Sequence, residues 1–165
     1  MDGRFADAVV MTTAAYQRAP ASAQIAFVHA AALAAAGRAR DAVDVTVAIE
    51  REAPDDKVTW FSKAVRWGLQ GEGEALVMSV TPERRAWASV DPHYTLTLAE
   101  CHALADRPDE AFDWLELMMR TGATPYPFVS GKDPLLSKLR TDPRWPVFVD
   151  RLRVAWERTG SLGSD

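Results

Sequence analysis

The sequence predicts an all-α fold built from stacked helix pairs, and three observations carry that expectation. Ala, Leu, Glu, Gln and Arg, which lose little entropy in a helix, supply 68 of the 165 residues, while β-branched runs stay short. Gly3, Gly37 and Gly71 recur 34 residues apart, with Asp106 one residue late, each just before a charged helix start. Pro20 and Pro54 are also 34 apart and close helical stretches, because proline has no N–H to donate.

These marks place helices near 4–19, 22–36, 39–52, 56–70, 72–80, 83–89, 93–105 and 108–121. Pro82 divides the fifth from the sixth, since it removes a hydrogen bond and pushes Thr81 out of helical geometry. Trp60, Ala64 and Trp67 share one helix face, and the same slots elsewhere hold Ala26, Ala30, Leu33 and Thr95, Ala99, His102. Small residues at Ala30, Ala64 and Ala99 let a paired helix approach closely. After residue 124 the period stops. Thr124-Pro125-Tyr126-Pro127 reads as a connector, Pro134-Leu135-Leu136 as a short helix after Asp133, and Asp142-Pro143 as the cap of a final helix to about Arg158. Residues 160–165 read as a flexible end. Residues 1–124 are thus a repeat region with an incomplete first repeat, and 125–165 a helical tail packed on it in the same domain.

Composition narrows the function classes. A chain of 165 residues with 48% hydrophobic content can bury one sizeable core. Net charge is −4 and the positive charges are scattered, so nucleic-acid partners are not expected. The apolar stretch Ile25 to Ala36 is broken by His29 and falls short of the roughly 20 residues that a bilayer crossing needs. With no secretory pattern at its start, the chain is expected in the cytoplasm. Cys101, the one cysteine, reads as a buried small hydrophobe.

The bulky, small, bulky pattern on a first helix, a glycine turn and a small residue on a second helix resemble the tetratricopeptide repeat, with Trp60 to Leu76 the best match. Leu76 stands where that repeat has a small residue, and Ala26 and Thr95 where it has a large one. The resemblance implies a right-handed α-α superhelix. Residues 110–115, Tyr126-Pro127-Phe128, Asp133-Pro134-Leu135-Leu136 and Asp142-Pro143-Arg144-Trp145 resemble the C-terminal end of repeat regions attached to bacterial serine/threonine protein kinases and adenylate cyclases. The match covers roughly residues 90–158. The absence of Asn and the excess of Arg over Lys fit a GC-rich bacterial genome. Because Gly3 corresponds to the middle of a repeat, the chain opens on a second helix whose apolar face (Phe5, Ala8, Val9, Thr12, Ala15, Tyr16) is expected to stack on something longer.

No constellation of catalytic residues emerges. Gly68, Gly71 and Gly73 follow a helix, lack a Gly-Lys-Ser/Thr ending, and read as an inter-helix turn. His29, His93 and His102 lack ligand spacing, and no cofactor or metal is expected. Trp60, Trp67 and Trp114 fit the core; Trp87 is left unassigned. Projecting the outward faces of the first helices gives a candidate partner-binding groove of Gln24, Phe27, Ala31, then Val58, Phe61, Val65, then His93, Leu96, Glu100. The Lys, Arg and Asn used by carboxylate-clamping tetratricopeptide domains are absent there. The expected function is a non-catalytic protein-interaction module of a signalling protein, its ligand a protein or peptide with an apolar helical face. One alternative is a homodimerisation module, and an enzyme comes third; for the groove itself, the alternative is that the chain's own tail covers it.

Overall fold

The computed structural model describes residues 4–161. The chain is all-helical, with no strand among the described residues. It runs α1 (Phe5–Arg18), α2 (Ala23–Ala35), α3 (Ala39–Glu52), α4 (Thr59–Gln70), α5 (Gly73–Ser79), α6 (Pro82–Ala88), α7 (Pro92–Leu104), α8 (Pro108–Arg120), α9 (Tyr126–Val129), a 3-10 turn (Ser137–Thr141) and α10 (Trp145–Ser161). Helices α2, α4 and α7 pack side by side, while α1 and α3 lie against α2, and α8 lies against α7.

The marks at 34-residue spacing are helix-terminating backbone positions. Gly37, Gly71 and Asp106 hold left-handed backbone, with φ of 76°, 73° and 55°. The following amide then reaches back five residues, from Arg38 to the Leu33 carbonyl (2.8 Å), Glu72 to Trp67 (2.8 Å) and Arg107 to His102 (2.9 Å). This is the same C-terminal cap three times, and it ends α2, α4 and α7 at equivalent points. Asp replaces Gly at the third because its short polar side chain tolerates the left-handed region. Gly3 lies outside the described residues.

Helix starts follow their capping side chains. The Ser22 hydroxyl accepts from Ile25 N–H, Thr81 from Arg84 N–H, and Asp91 from His93 N–H. Pro82 occupies the first turn of α6 and separates it from α5, as expected. Helix α4 begins at Thr59 rather than near residue 56, because the Asp56 carboxylate takes the Val58 amide (2.8 Å) and holds a turn there.

Small residues set the spacing of the inner helices. Ala26, Ala30, Ala64 and Ala99 are fully buried. Gly68, read as part of an inter-helix turn, sits instead in the last turn of α4, where a Cβ would stand 2.8 Å from the Cys101 carbonyl oxygen of α7. Trp60 and Trp114 are core residues, whereas Trp67 is half-buried with the Arg66 guanidinium over its ring. Trp60 donates its indole N–H to Ser79 Oγ (3.0 Å), and Arg85 of α6 covers Trp114 of α8 at 4.7 Å, so the divided α5–α6 pair is tied at both ends.

The C-terminal motifs clamp the tail to α8. Arg144 reaches Asp109 (2.7 Å) and Asp142 (2.7 Å) and lies 4.5 Å over the Phe112 ring, whose edge meets Trp145 and Phe148. Two hydrogen bonds join Arg151 to Glu116. Asp142 accepts the Arg144 amide, so α10 starts at Trp145; it continues to Ser161, past the expected end. The rest of the expected flexible end, 162–165, lies outside the described residues. Pro134-Leu135-Leu136 forms no helix, because Asp133 Oδ1 takes the Leu135 amide (2.9 Å) in a tight turn, and the 3-10 turn follows it.

Candidate functional site

The nine predicted groove positions converge, but most of them are not at the surface. Gln24 and His93 are exposed, Ala31 and Val58 are half-buried, and Phe27, Phe61, Val65, Leu96 and Glu100 are buried. Phe27 and Phe61 have no accessible surface at all. The expectation of an exposed apolar patch from Phe27, Phe61, Val65 and Leu96 is therefore corrected, and the reason is aromatic packing across three helices. Tyr94 of α7 stacks on Phe61 at 4.3 Å between ring centroids, and Trp87 of α6 closes on it at 5.3 Å. Phe27 lies 5.5 Å from Phe61 and 5.8 Å from the His93 ring. Tyr94 then donates its hydroxyl to Gln24 Oε1 (3.2 Å), joining α7 to α2. Trp87, unassigned from sequence, is the lid of this cluster.

The remaining α7 row is met by the chain's own C-terminal segment. A pocket of about 310 Å³ is bounded by His93 and Leu96 on one side and Ala123, Thr124 and Pro125 on the other. Beyond it Phe128 reaches the ring of Phe5 on α1, at 6.3 Å. Val129, Leu135 and Leu136 are buried with it, and Asp133 is brought against Glu100. Leu139 closes the end, while Lys138 pairs with Asp106 and donates to the Leu104 carbonyl. The tail thus covers the α7 row of the candidate groove.

Glu100 and Asp133 form a buried pair of carboxyls whose ionisation is perturbed on both sides. Burial and then the Asp133 charge push the Glu100 carboxyl well above the ordinary carboxylate range. Burial also raises Asp133, opposed by its hydrogen bonds with Glu100, Leu135 and Leu136 and by the Arg140 charge. Arg140 donates to the Asp133 backbone carbonyl (2.7 Å). Sequence reasoning found Glu100 by its register on α7 but read Asp133 only as a helix start. No local pattern announces that residues 33 apart will meet.

Cys101, His102 and His29 sit in the packing between helices. Burial raises the Cys101 thiol, with the Glu100 charge adding to it. His102 donates its Nδ1–H to the Leu98 carbonyl (2.7 Å), as a satisfied core histidine does. His29 stacks on Tyr16 and its Nδ1 pairs with Thr12 Oγ1 (2.9 Å), joining α2 to α1. Among the described residues no His, Cys, Asp and Glu cluster could hold a metal, and no helix is long and apolar enough to cross a membrane.

A second cleft, of about 390 Å³, opens between the α3–α4 turn and α6, walled by Trp60 and Trp87 and rimmed by Asp55, Asp56, Lys57, Lys63 and Glu83. Arg84 already covers Trp60 at 5.3 Å while donating to the Ser79 carbonyl. With Arg84 its rim carries three acidic and three basic side chains, so it offers no net charge to an ion of one sign. No known protein family, curated protein or solved structure matches the chain.

Proposed function

We propose that the chain is a non-catalytic protein-interaction module whose helix pairs form a right-handed tetratricopeptide-like superhelix, and that its own residues 123–136 occupy part of the groove. The observation that supports this reading is the chemistry of the covered row: His93 and Leu96 face the connector, and Glu100 faces Asp133. Phe128 and Val129, on the short helix α9, supply an apolar helical face, which is the ligand chemistry expected from the sequence. The tail is then an internal ligand, and a partner of like chemistry competes with it. The C-terminal signature supports placing the module in a bacterial signalling protein of the cytoplasm, in a regulatory or sensory role.

A synthetic peptide of residues 124–137 tests the reading. It is expected to bind a Leu135→Asp, Leu136→Asp variant, whose own tail is expelled, and to ignore the parent. A variant that keeps its helical circular dichroism yet binds no peptide removes the internal-ligand reading. Self-association is the second reading, supported by Val10 and Met11 of α1, which are 70% and 74% exposed. A concentration-independent monomer in sedimentation excludes it as a tight interaction.

A further inference from the structure

Asp133 has no accessible surface, and its Oδ2 finds no donor among the N–H and hydroxyl groups around it. Its Oδ1 takes the Leu135 amide, while Arg140 gives its Nη2–H to the Asp133 backbone carbonyl rather than to the carboxylate and leaves its buried Nε unpaired among the described residues. The neighbour in hydrogen-bonding reach is the carboxyl of Glu100, itself buried on α7. A carboxylate cannot donate; a carboxylic acid can. The arrangement is therefore satisfied in one protonation state, with the proton on Glu100 and the charge on Asp133, balanced by Arg140. Burial of both groups makes a second negative charge there costly.

We propose that the proton between Glu100 and Asp133 latches the C-terminal segment onto α7, so that its loss releases residues 123–136 and uncovers the groove row at Leu96. The inference rests on the segment lying over the groove, and it stands whether or not a partner competes for that place. When the Glu100 O–H bond breaks the proton passes to solvent, two carboxylates are left facing each other across the contact, and the contact opens. The charged groups bearing on the pair, among the described residues, are Arg140 of the 3-10 turn, which favours the Asp133 charge, and the Cys101 thiol beside Glu100 on α7. Lys138 lies further along, held by Asp106 and the Leu104 carbonyl.

The sign follows from linkage. Glu100 holds its proton more tightly when the segment is docked, so docking is favoured below the ordinary carboxylate pKa and lost as pH rises through the raised one. Amide exchange at Val129 and Leu136, corrected for intrinsic rates, reads the docking directly. In the full chain, protection at these amides is expected to fall about tenfold or more between pH 5 and pH 9, because the docked carboxyl holds its proton more tightly than the released one. Glu100→Gln keeps a donor toward Asp133 and cannot ionise, so the same amides stay protected at pH 9. Taking the difference between parent and variant cancels the histidines, which titrate in both. At pH 5 the parent's infrared spectrum is expected to show a protonated-carboxyl C=O band that Glu100→Gln lacks. Equal pH dependence in parent and variant, or no such band, overturns the latch. Loss of peptide binding alone would leave it standing, so the two proposals fail separately.

Discussion

Gly68 of α4 lies against the backbone of Cys101 on α7, with space for a hydrogen and not for a methyl group. A Cβ there would meet the Cys101 carbonyl oxygen at 2.8 Å and its Cα at 3.0 Å. Helix propensity alone favours alanine over glycine by about 1 kcal/mol. The atoms in the way are backbone, which cannot swing aside, so overpacking wins. Gly68→Ala is expected to destabilise by about 1–3 kcal/mol, seen as a lower urea midpoint at unchanged slope. Ala64→Leu, one turn earlier and equally enclosed, is expected to cost about the same. Gln24→Leu, on the exposed edge, removes only the Tyr94 acceptor and is expected to cost about 0.5–1.5 kcal/mol.

The repeated caps give a cleaner test of backbone strain. Nothing lies within 4 Å of a Cβ added at Gly71, so Gly71→Ala suffers only from its φ of 73°. The expected cost is about 1–2 kcal/mol. Asp106→Gly relieves strain of the same kind at φ 55° and gives up an exposed ion pair with Lys138, worth about 0–1 kcal/mol. Its melting temperature is expected to equal or slightly exceed that of the parent. Opposite signs at two sites 35 apart, read by thermal melts, establish that they are the same cap.

Phe61 separates a binding surface from a core. It touches Trp60, Trp87, Tyr94 and Phe27 and has no accessible surface. Phe61→Ala is expected to cost about 3–5 kcal/mol. Phe61→Glu adds an unpaired buried carboxylate, and its helical circular dichroism is expected to collapse at ambient temperature. A folded Phe61→Glu would mean that Trp87 and Tyr94 swing away from the inner layer.

The architecture was legible because its signals are local and periodic. Left-handed caps demand glycine or a short polar residue, so Gly37, Gly71 and Asp106 mark helix ends at fixed spacing whatever surrounds them. Pro82 announced a break for an equally local reason. Exposure of the groove was not legible, since register on α2, α4 and α7 says which way a side chain points and not what arrives to cover it. Trp87 stands 26 residues from Phe61, and Asp133 stands 33 from Glu100. The first meeting is made across the α5–α6 break at Pro82 and the second beyond residue 124, where the period has stopped and carries no information. Gly68 misled for a related reason: a glycine near a helix end signals a turn, and only the neighbouring backbone of α7 shows that it signals contact.

Acid and base are expected to destabilise the protein through different residues, and the signs can be worked out separately. Burial lowers the pKa of His102, aided by the charges of Arg107 and Arg85 and opposed by its bond to Leu98 and by Glu110. The unfolded chain therefore takes up this proton more readily than the native one. Stability from neutral His102 is present above about pH 6.5 and is lost as pH falls toward the lowered value, at a slope of up to about 1.4 kcal/mol per pH unit. His29 and His93 shift the same way, so His102→Gln flattens the acid limb only in part. Glu100 acts with the opposite sign: its contribution falls as pH rises from the ordinary carboxylate range through the raised value, so Glu100→Gln flattens the alkaline limb and steepens the acid one where the two windows overlap. Urea midpoints measured for parent, His102→Gln and Glu100→Gln across pH 5 to 9 separate the two. If His102→Gln left the acid limb unchanged, or Glu100→Gln the alkaline one, the protons would belong to different residues than their burial implies.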